Sequence, residues 1–289
     1  MKCYLLLFCI VIVFTRCGKR ETTNSQNEIK YTFADVFILA GQSNALGQNQ
    51  PYLALVNLPA AYSGIQPYIY VWRNGNYDTS TNQAGFENMQ VPLNTRDKIY
   101  NSPSHPYNNI TGWGVEQSWL HRTQQHLERD VYLLKNAIGA LSISKWDTND
   151  AMYFELNKMI SGTISALKDQ GKIPIFRGMV WMQGESDISN PNYCNALKNL
   201  INNVRGISLH LNNMPFIIIR IVPGTNGYST NVDTSYNHVV KLDTSHNFII
   251  DPTLIPGVTL SDNLHYDDAS KLILGDTIFK FQKFRNQLN

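Results

Sequence analysis

The chain is 289 residues long, 43% hydrophobic and 16% charged, which suits one large α/β domain with a buried core. Its 24 basic and 22 acidic residues leave a net charge of +2, and this near-neutrality argues against nucleic acid, an acidic polymer or a polybasic membrane contact as partner. Aromatic residues make up 11%; most are expected in the core, the remainder being available to stack on the C–H faces of sugars.

The chain opens on Lys2 and an apolar run, Tyr4 to Phe14. That run is too short to span a bilayer and has the length of a signal-peptide core. Cys17 stands just after it, which resembles a bacterial lipoprotein signal with Cys17 lipidated as the mature N-terminus, although Arg16 replaces the usual small residue. Plain secretion is the alternative, and a retained N-terminal anchor is the third reading. Residues 1–17 are thus expected to be a leader of lipoprotein type, 18–30 a polar linker, and 31–289 the folded domain. Export follows, to the periplasm, the outer membrane or the medium. Cys3, Cys9 and Cys17 lie in the leader, so Cys194 alone remains in the domain and no intrachain disulfide forms there. No Cys/His metal spacing occurs, and no metal site is expected. Cys194 is read as a small buried hydrophobe on a helix.

Strands are expected at Asp35–Ala40, Tyr68–Trp72, Val131–Leu134, Ile175–Met182, Phe216–Val222 and Phe248–Ile250. These are continuous apolar runs, as in strands covered on both faces. Helical spacing recurs from Met152 to Leu167, with Gly171 as a stop. A second stripe runs from Tyr193 to Leu211, preceded by Asn190 as cap and Pro191 in the first turn. A last helix covers about Asp267 to Phe284. Residues 74–112 lack periodicity and are expected to be long loops beside the site. The alternation predicts a three-layer α/β/α sandwich around a central parallel sheet, flavodoxin-like in layout. Ligands of such sheets bind at the carboxyl ends of the strands.

Three segments carry candidate chemistry. Gly41-Gln42-Ser43-Asn44 follows the first strand, so Ser43 sits at the sheet's carboxyl edge. It is either a nucleophile beside backbone amides or an ordinary helix cap. Gln42 and Asn44 flank it as candidate substrate contacts. Trp181-Met182-Gln183-Gly184-Glu185-Ser186-Asp187 ends the strongest strand and gathers donors and carboxylates. Ser186 is a rival nucleophile, but adjacent carboxylates disfavour a forming alkoxide. Ser261-Asp262-Asn263-Leu264-His265 precedes the last helix. An Asp three residues before a His can hold its tautomer while the other ring nitrogen meets a nucleophile, although the spacing also arises by chance. His121, His126, His210, His238 and His246 are read as structural or solvent-exposed, and His105 is left open.

Together these segments resemble the sialate O-acetylesterase domain, or carbohydrate esterase family six, of the SGNH hydrolases, over roughly Val36 to Leu274. Gly112-Trp113-Gly114-Val115-Glu116 matches a further glycine block of that family, with Val115 where a proline is usual. The resemblance implies hydrolysis of acetyl esters on carbohydrates such as xylan or sialic acid, without a cofactor. It implies Ser43 as nucleophile, His265 as general base and Asp262 as orienting acid, with Glu185 as an alternative acid or a brace. It also implies an oxyanion hole from the Ser43 amide, Gly114 and Gln183. A non-catalytic carbohydrate-binding protein, or an esterase acting on lipid or peptidoglycan acyl groups, are the competing expectations.

Overall fold

The computed structural model describes residues 32–48, 58–73, 85–90 and 113–289. The expected leader, the linker, Cys17 and His105 lie outside these residues. The first strand, β1 (Thr32–Gly41), is buried from Ala34 to its end. A four-residue helix, α1 (Ser43–Leu46), follows, then β2 (Ile65–Arg73) and β3 (Gly85–Gln90). Next come α2 (Glu116–Leu127), β4 (Val131–Ala137), α3 (Ala151–Asp169) and β5 (Lys172–Met182). The remainder is α4 (Tyr193–Gly206), β6 (Phe216–Ile219), α5 (Thr230–Leu242), β7 (Asn247–Ile250) and α6 (Asp268–Phe284).

Among the described residues, seven strands form one sheet in the order β3-β2-β4-β1-β5-β6-β7. All neighbouring pairs are parallel except β2 and β3, which are antiparallel. The fold is therefore α/β as expected, but the sheet is mixed. Its antiparallel edge comes from Gly85–Gln90, inside the stretch expected to be loop. GFENMQ has one buried residue, Met89, so its strand character is set by pairing with β2 rather than by an apolar run.

Helices cover both faces. On one, Met152, Leu156 and Ile160 of α3, Tyr193, Leu197 and Val204 of α4, and Val232, Tyr236 and Val239 of α5 pack with Val36, Ile38 and Trp181 of the sheet. On the other, Trp119 and Leu120 of α2 and Leu274 and Ile278 of α6 pack with Phe37, Leu39 and Val180. Consecutive residues of β1 thus feed opposite cores, which explains the unbroken apolar run. All five tryptophans are buried, so none is a sugar platform.

Helix ends follow local chemistry. Asp150 caps α3 by accepting from the Ala151 amide, and Asp267 caps α6 by accepting from Ser270 N at 2.8 Å. The expected cap Asn190 does not start α4, which begins at Tyr193. The Asn190 side chain closes a turn instead: its Nδ2 donates to Asp187 Oδ1 at 2.8 Å and its Oδ1 accepts from Asn192 N at 3.0 Å. The stripe also breaks after Gly206, so that Leu211 lies in a separate 3-10 turn, Leu209–Leu211. Cys194 is half-buried rather than buried. The expected strand to Val222 ends at Ile219.

β1 lies where the chain changes direction across the sheet, with β4 on one side and β5 on the other. Gly41 pairs with Ala137 and Met182 at its carboxyl end. Gly41 has φ +139°, and a Cβ there would lie 2.1 Å from the Met182 carbonyl oxygen. Only glycine fits. Gly41→Ala is expected to lower stability by about 2–4 kcal/mol, read as a lower urea midpoint at an unchanged slope.

Candidate active site

The turn after β1 projects Ser43 into the crevice at the direction change. Gln42 N donates to Met182 O at 2.9 Å and Ile138 N to Gly41 O at 3.1 Å, so both neighbouring strands hold the turn. Ser43 is the first residue of α1, so its amide has no acceptor within the helix. On the other side, Asn263 adopts a left-handed φ of 62° and folds Asp262 back on His265. Asp262 Oδ1 accepts from the backbone amides of His265 at 2.7 Å and Leu264 at 3.1 Å.

Three side chains meet in line. His265 Nε2 lies 2.9 Å from Ser43 Oγ, and His265 Nδ1 lies 2.7 Å from Asp262 Oδ2. The carboxylate fixes the ring proton on Nδ1 and leaves Nε2 to accept from the Ser43 hydroxyl. Ser43 is 4% and His265 6% exposed. Burial pushes the Asp262 carboxyl up, but hydrogen bonds from the His265 side chain and backbone, and its charge, outweigh this and hold it below the usual range. A second Asp–His pair at the same spacing, Asp243 and His246, is hydrogen-bonded at 3.0 Å just before β7. It belongs to an ion-pair cluster with Arg205, at the amino edge of the sheet.

A family model described as carbohydrate esterase, sialic acid-specific acetylesterase, matches residues 33–282. The chain belongs to this family. It is accordingly a carboxylic ester hydrolase of the carbohydrate esterases. No curated protein matches it. Among solved structures it is similar to a protein from Arabidopsis thaliana, at 20% identity and a TM-score of 0.65, covering 86% of this chain and 98% of that one. It is similar to NanS at 14% identity and a TM-score of 0.60, covering 89% and 99%. A carbohydrate acetylesterase from Xanthomonas citri matches at 13% identity and a TM-score of 0.51, covering 85% of this chain and 55% of that one. At these identities the likeness to solved structures is one of fold.

The other residues singled out in this acetylesterase-family chain have structural partners. Gln183 donates from Nε2 to Leu141 O at 3.1 Å and to Asp187 Oδ2 at 2.5 Å, and its Oε1 accepts from Tyr193 Oη at 3.0 Å. Both amide protons are engaged inside the protein, so the expected oxyanion contact is not present in this geometry. The Gly114 amide likewise donates to Glu116 Oε1 at 2.7 Å. Gln42 Oε1 accepts from Ser186 N at 3.2 Å, and Asn44 bonds Glu185, Leu264 and Tyr266. Gln42 and Asn44 are internal braces here rather than open contacts for substrate. Ser186 is exposed, on the loop after β5, and Ser43 alone of the two meets a histidine. Asp187 closes the loop after β5 by accepting from Ile143 N at 2.7 Å. Gly184, at φ +146°, admits the Tyr236 hydroxyl, which a Cβ would meet at 2.4 Å.

Glu185 Oε1 accepts from Asn44 at 2.9 Å, while its Oε2 is sealed from solvent and has no hydrogen-bond partner among the described residues. Burial pushes this carboxyl up, against the hydrogen bonds from Asn44 and its own backbone and the charge of His265. Gly139, after β4, escaped the sequence reading: a Cβ there would lie 3.8 Å from the Ser43 Cβ. Among the described residues no group of three or more His, Cys, Asp and Glu side chains is arranged to hold a metal ion.

A buried charge cluster underlies the Ser43 turn. Lys135 Nζ donates to Leu46 O at 3.0 Å and pairs with Glu116 Oε1 at 3.0 Å. Lys271 Nζ donates to Gly47 O at 2.8 Å and lies 5.1 Å from the centre of the Trp113 ring. Burial lowers the Lys271 ammonium to about 8 from 10.5, against the charges of Asp268 and Glu116. Between these values the unfolded chain holds a proton that the folded chain lacks, so this residue's contribution to stability rises with pH. Lys271→Met removes that rise. The wild type is therefore expected to gain stability over the variant from pH 8 to 10.5, read by denaturant midpoints across the range.

Proposed function

We propose that the protein removes O-acetyl groups from carbohydrates through an acetyl-enzyme on Ser43. The observation that carries this reading is the line Ser43 Oγ, His265 Nε2, His265 Nδ1, Asp262 Oδ2, with hydrogen bonds of 2.9 and 2.7 Å. Membership of the acetylesterase family supports the substrate class. Acetylated xylan and acetylated sialic acid are the candidate substrates.

His265 Nε2 takes the Ser43 proton as Oγ attacks the acetyl carbonyl carbon. The Ser43 amide, without an acceptor in α1, donates to the oxyanion. Collapse of the tetrahedral species breaks the bond to the sugar oxygen, which leaves with the proton from His265. Water then gives a proton to His265 and its hydroxide attacks the acetyl carbon. Acetate departs and the proton returns to Ser43. Asp262 stays ionised, since its hydrogen bonds hold it below the usual carboxylate range, and it stabilises the imidazolium in both steps.

The apolar run before Cys17 supports a further part of the proposal: an exported domain, 31–289, tethered through a lipid on Cys17 and a linker at 18–30. Such placement brings the enzyme to polymeric glycans outside the cell.

Ser43→Ala should lower acetate release from p-nitrophenyl acetate by about a million-fold, and abolish the mass gain from a fluorophosphonate. Wild-type turnover by this variant overturns the proposal. Acetate release across acetylated xylan, acetylated sialic acid and peptidoglycan tests the substrate class, and activity on peptidoglycan alone rejects it. Asp262→Asn should reduce kcat by about ten-thousand-fold at neutral pH through the wrong imidazole tautomer. Glu185→Gln, measured beside it, should cost far less.

A further inference from the structure

Asn44 touches all three segments that build the site. Its Nδ2 donates to Glu185 Oε1 at 2.9 Å and to Leu264 O at 3.1 Å, and its Oδ1 accepts from Tyr266 N at 3.2 Å. Leu264 and Tyr266 are the two chain neighbours of His265. The backbone on both sides of the imidazole is therefore held by the side chain next to Ser43.

We propose that Asn44 is a positioning residue that registers His265 Nε2 against Ser43 Oγ, and that Glu185 sets the orientation of its carboxamide. The inference rests on the acyl-transfer reading above. The chemistry of the contacts selects this residue type. One group must donate twice and accept once within a single short side chain, which asparagine does and aspartate, serine or alanine does not. The Glu185 Oε1 acceptor draws Nδ2 toward itself and leaves Oδ1 facing the Tyr266 amide. Asn44 is 6% exposed, which keeps water from replacing these bonds. Misplacement of a reacting group by about 1 Å costs on the order of a hundred-fold in rate, so loss of this clasp reaches the chemistry without any contact to substrate.

The test uses the full chain and acetate release from p-nitrophenyl acetate, with the folded, competent fraction counted by fluorophosphonate titration. Asn44→Ala should lower kcat per competent molecule by about a hundred-fold and leave KM within about twofold. A residue that only stabilised the fold would shift the melting temperature and the competent fraction, not kcat per molecule. Asn44→Asp removes both donors and sets a carboxylate against Glu185, so it should be worse than alanine. Adding Glu185→Gln reverses donor and acceptor, because Gln can donate to the new Asp, and should recover about tenfold. That swap also serves if Asn44→Ala does not accumulate folded. Wild-type kcat in Asn44→Ala, or no recovery in the swapped pair, overturns the proposal. Ser43→Ala separates the two readings. If it is inactive while Asn44→Ala keeps the wild-type kcat, only the role of Asn44 falls; if it turns over normally, the acyl-transfer reading falls first.

Discussion

The site depends on one close approach, that of the β1 and β5 backbones at their carboxyl ends. Gly41 pairs with Met182 there, and the space for a side chain at Gly41 is filled by the Met182 carbonyl. With a glycine in that place, the chain can leave the sheet at φ +139° and turn at once into α1. The same approach brings Gln183, Gly184 and Glu185, which continue β5, alongside Gln42, Ser43 and Asn44. The hydrogen bonds from Ser186 N to Gln42 and from Asn44 to Glu185 follow from it. β4 contributes the other wall, through Ile138 and Gly139. The crevice between outward-running strands thus becomes specific because three strand ends are fixed to one turn.

A four-residue helix is unstable by itself, since it forms few hydrogen bonds for the dihedrals it fixes. The protein stabilises α1 by unusual means. Two buried ammonium groups, on Lys135 and Lys271, bond the carbonyls of Leu46 and Gly47 at its end. Both side chains are only 2% exposed. Burying cations is costly unless they are paired, and Glu116 and Asp268 supply the compensating charge. Glu116 also takes the Gly114 amide, so the glycine block is tied to the charge cluster rather than left open. Removing Lys135 takes the salt bridge from the fully buried Glu116 carboxylate, beneath the turn that carries Ser43.

What was legible in the sequence is what is local. β1, α3 and α6 are readable because each joins an unbroken or periodic apolar pattern to a marked boundary: Gly41 after β1, Gly171 after α3 and Asp267 before α6. α5 was not, because TNVDTSYNHVVKL is rich in Asn, Ser, Thr and Asp, and its three buried apolar residues only gain meaning against α4. α2 has just Trp119, Leu120 and Leu127 as apolar residues, too few to show a stripe. Asp262 and His265 were readable as a pair, yet Asp243 and His246 share the spacing and form the same bond at the wrong end of the sheet. Only the fold separates them. Gln183 shows the opposite limit. Its amide protons go to Asp187 and to Leu141, 42 residues away, and no spacing rule reveals such a partner.

Two carboxyl groups that feel the charge of His265, Asp262 and Glu185, illustrate how environment divides labour between identical functional groups. Asp262 is a quarter exposed, at 26%, and receives hydrogen bonds from the imidazole and two backbone amides. Those bonds favour its ionised form, which is the form that holds an imidazole tautomer. Glu185 is held the other way. Its Oε2 is sealed without a partner, and burial raises it despite the attraction of His265. A group whose charge is disfavoured serves poorly as a standing counter-ion, but its Oε1 remains a good acceptor for Asn44 whether or not it carries a proton. On the proposed mechanism the acid is therefore the carboxylate that the protein keeps charged, and the brace is the one it buries.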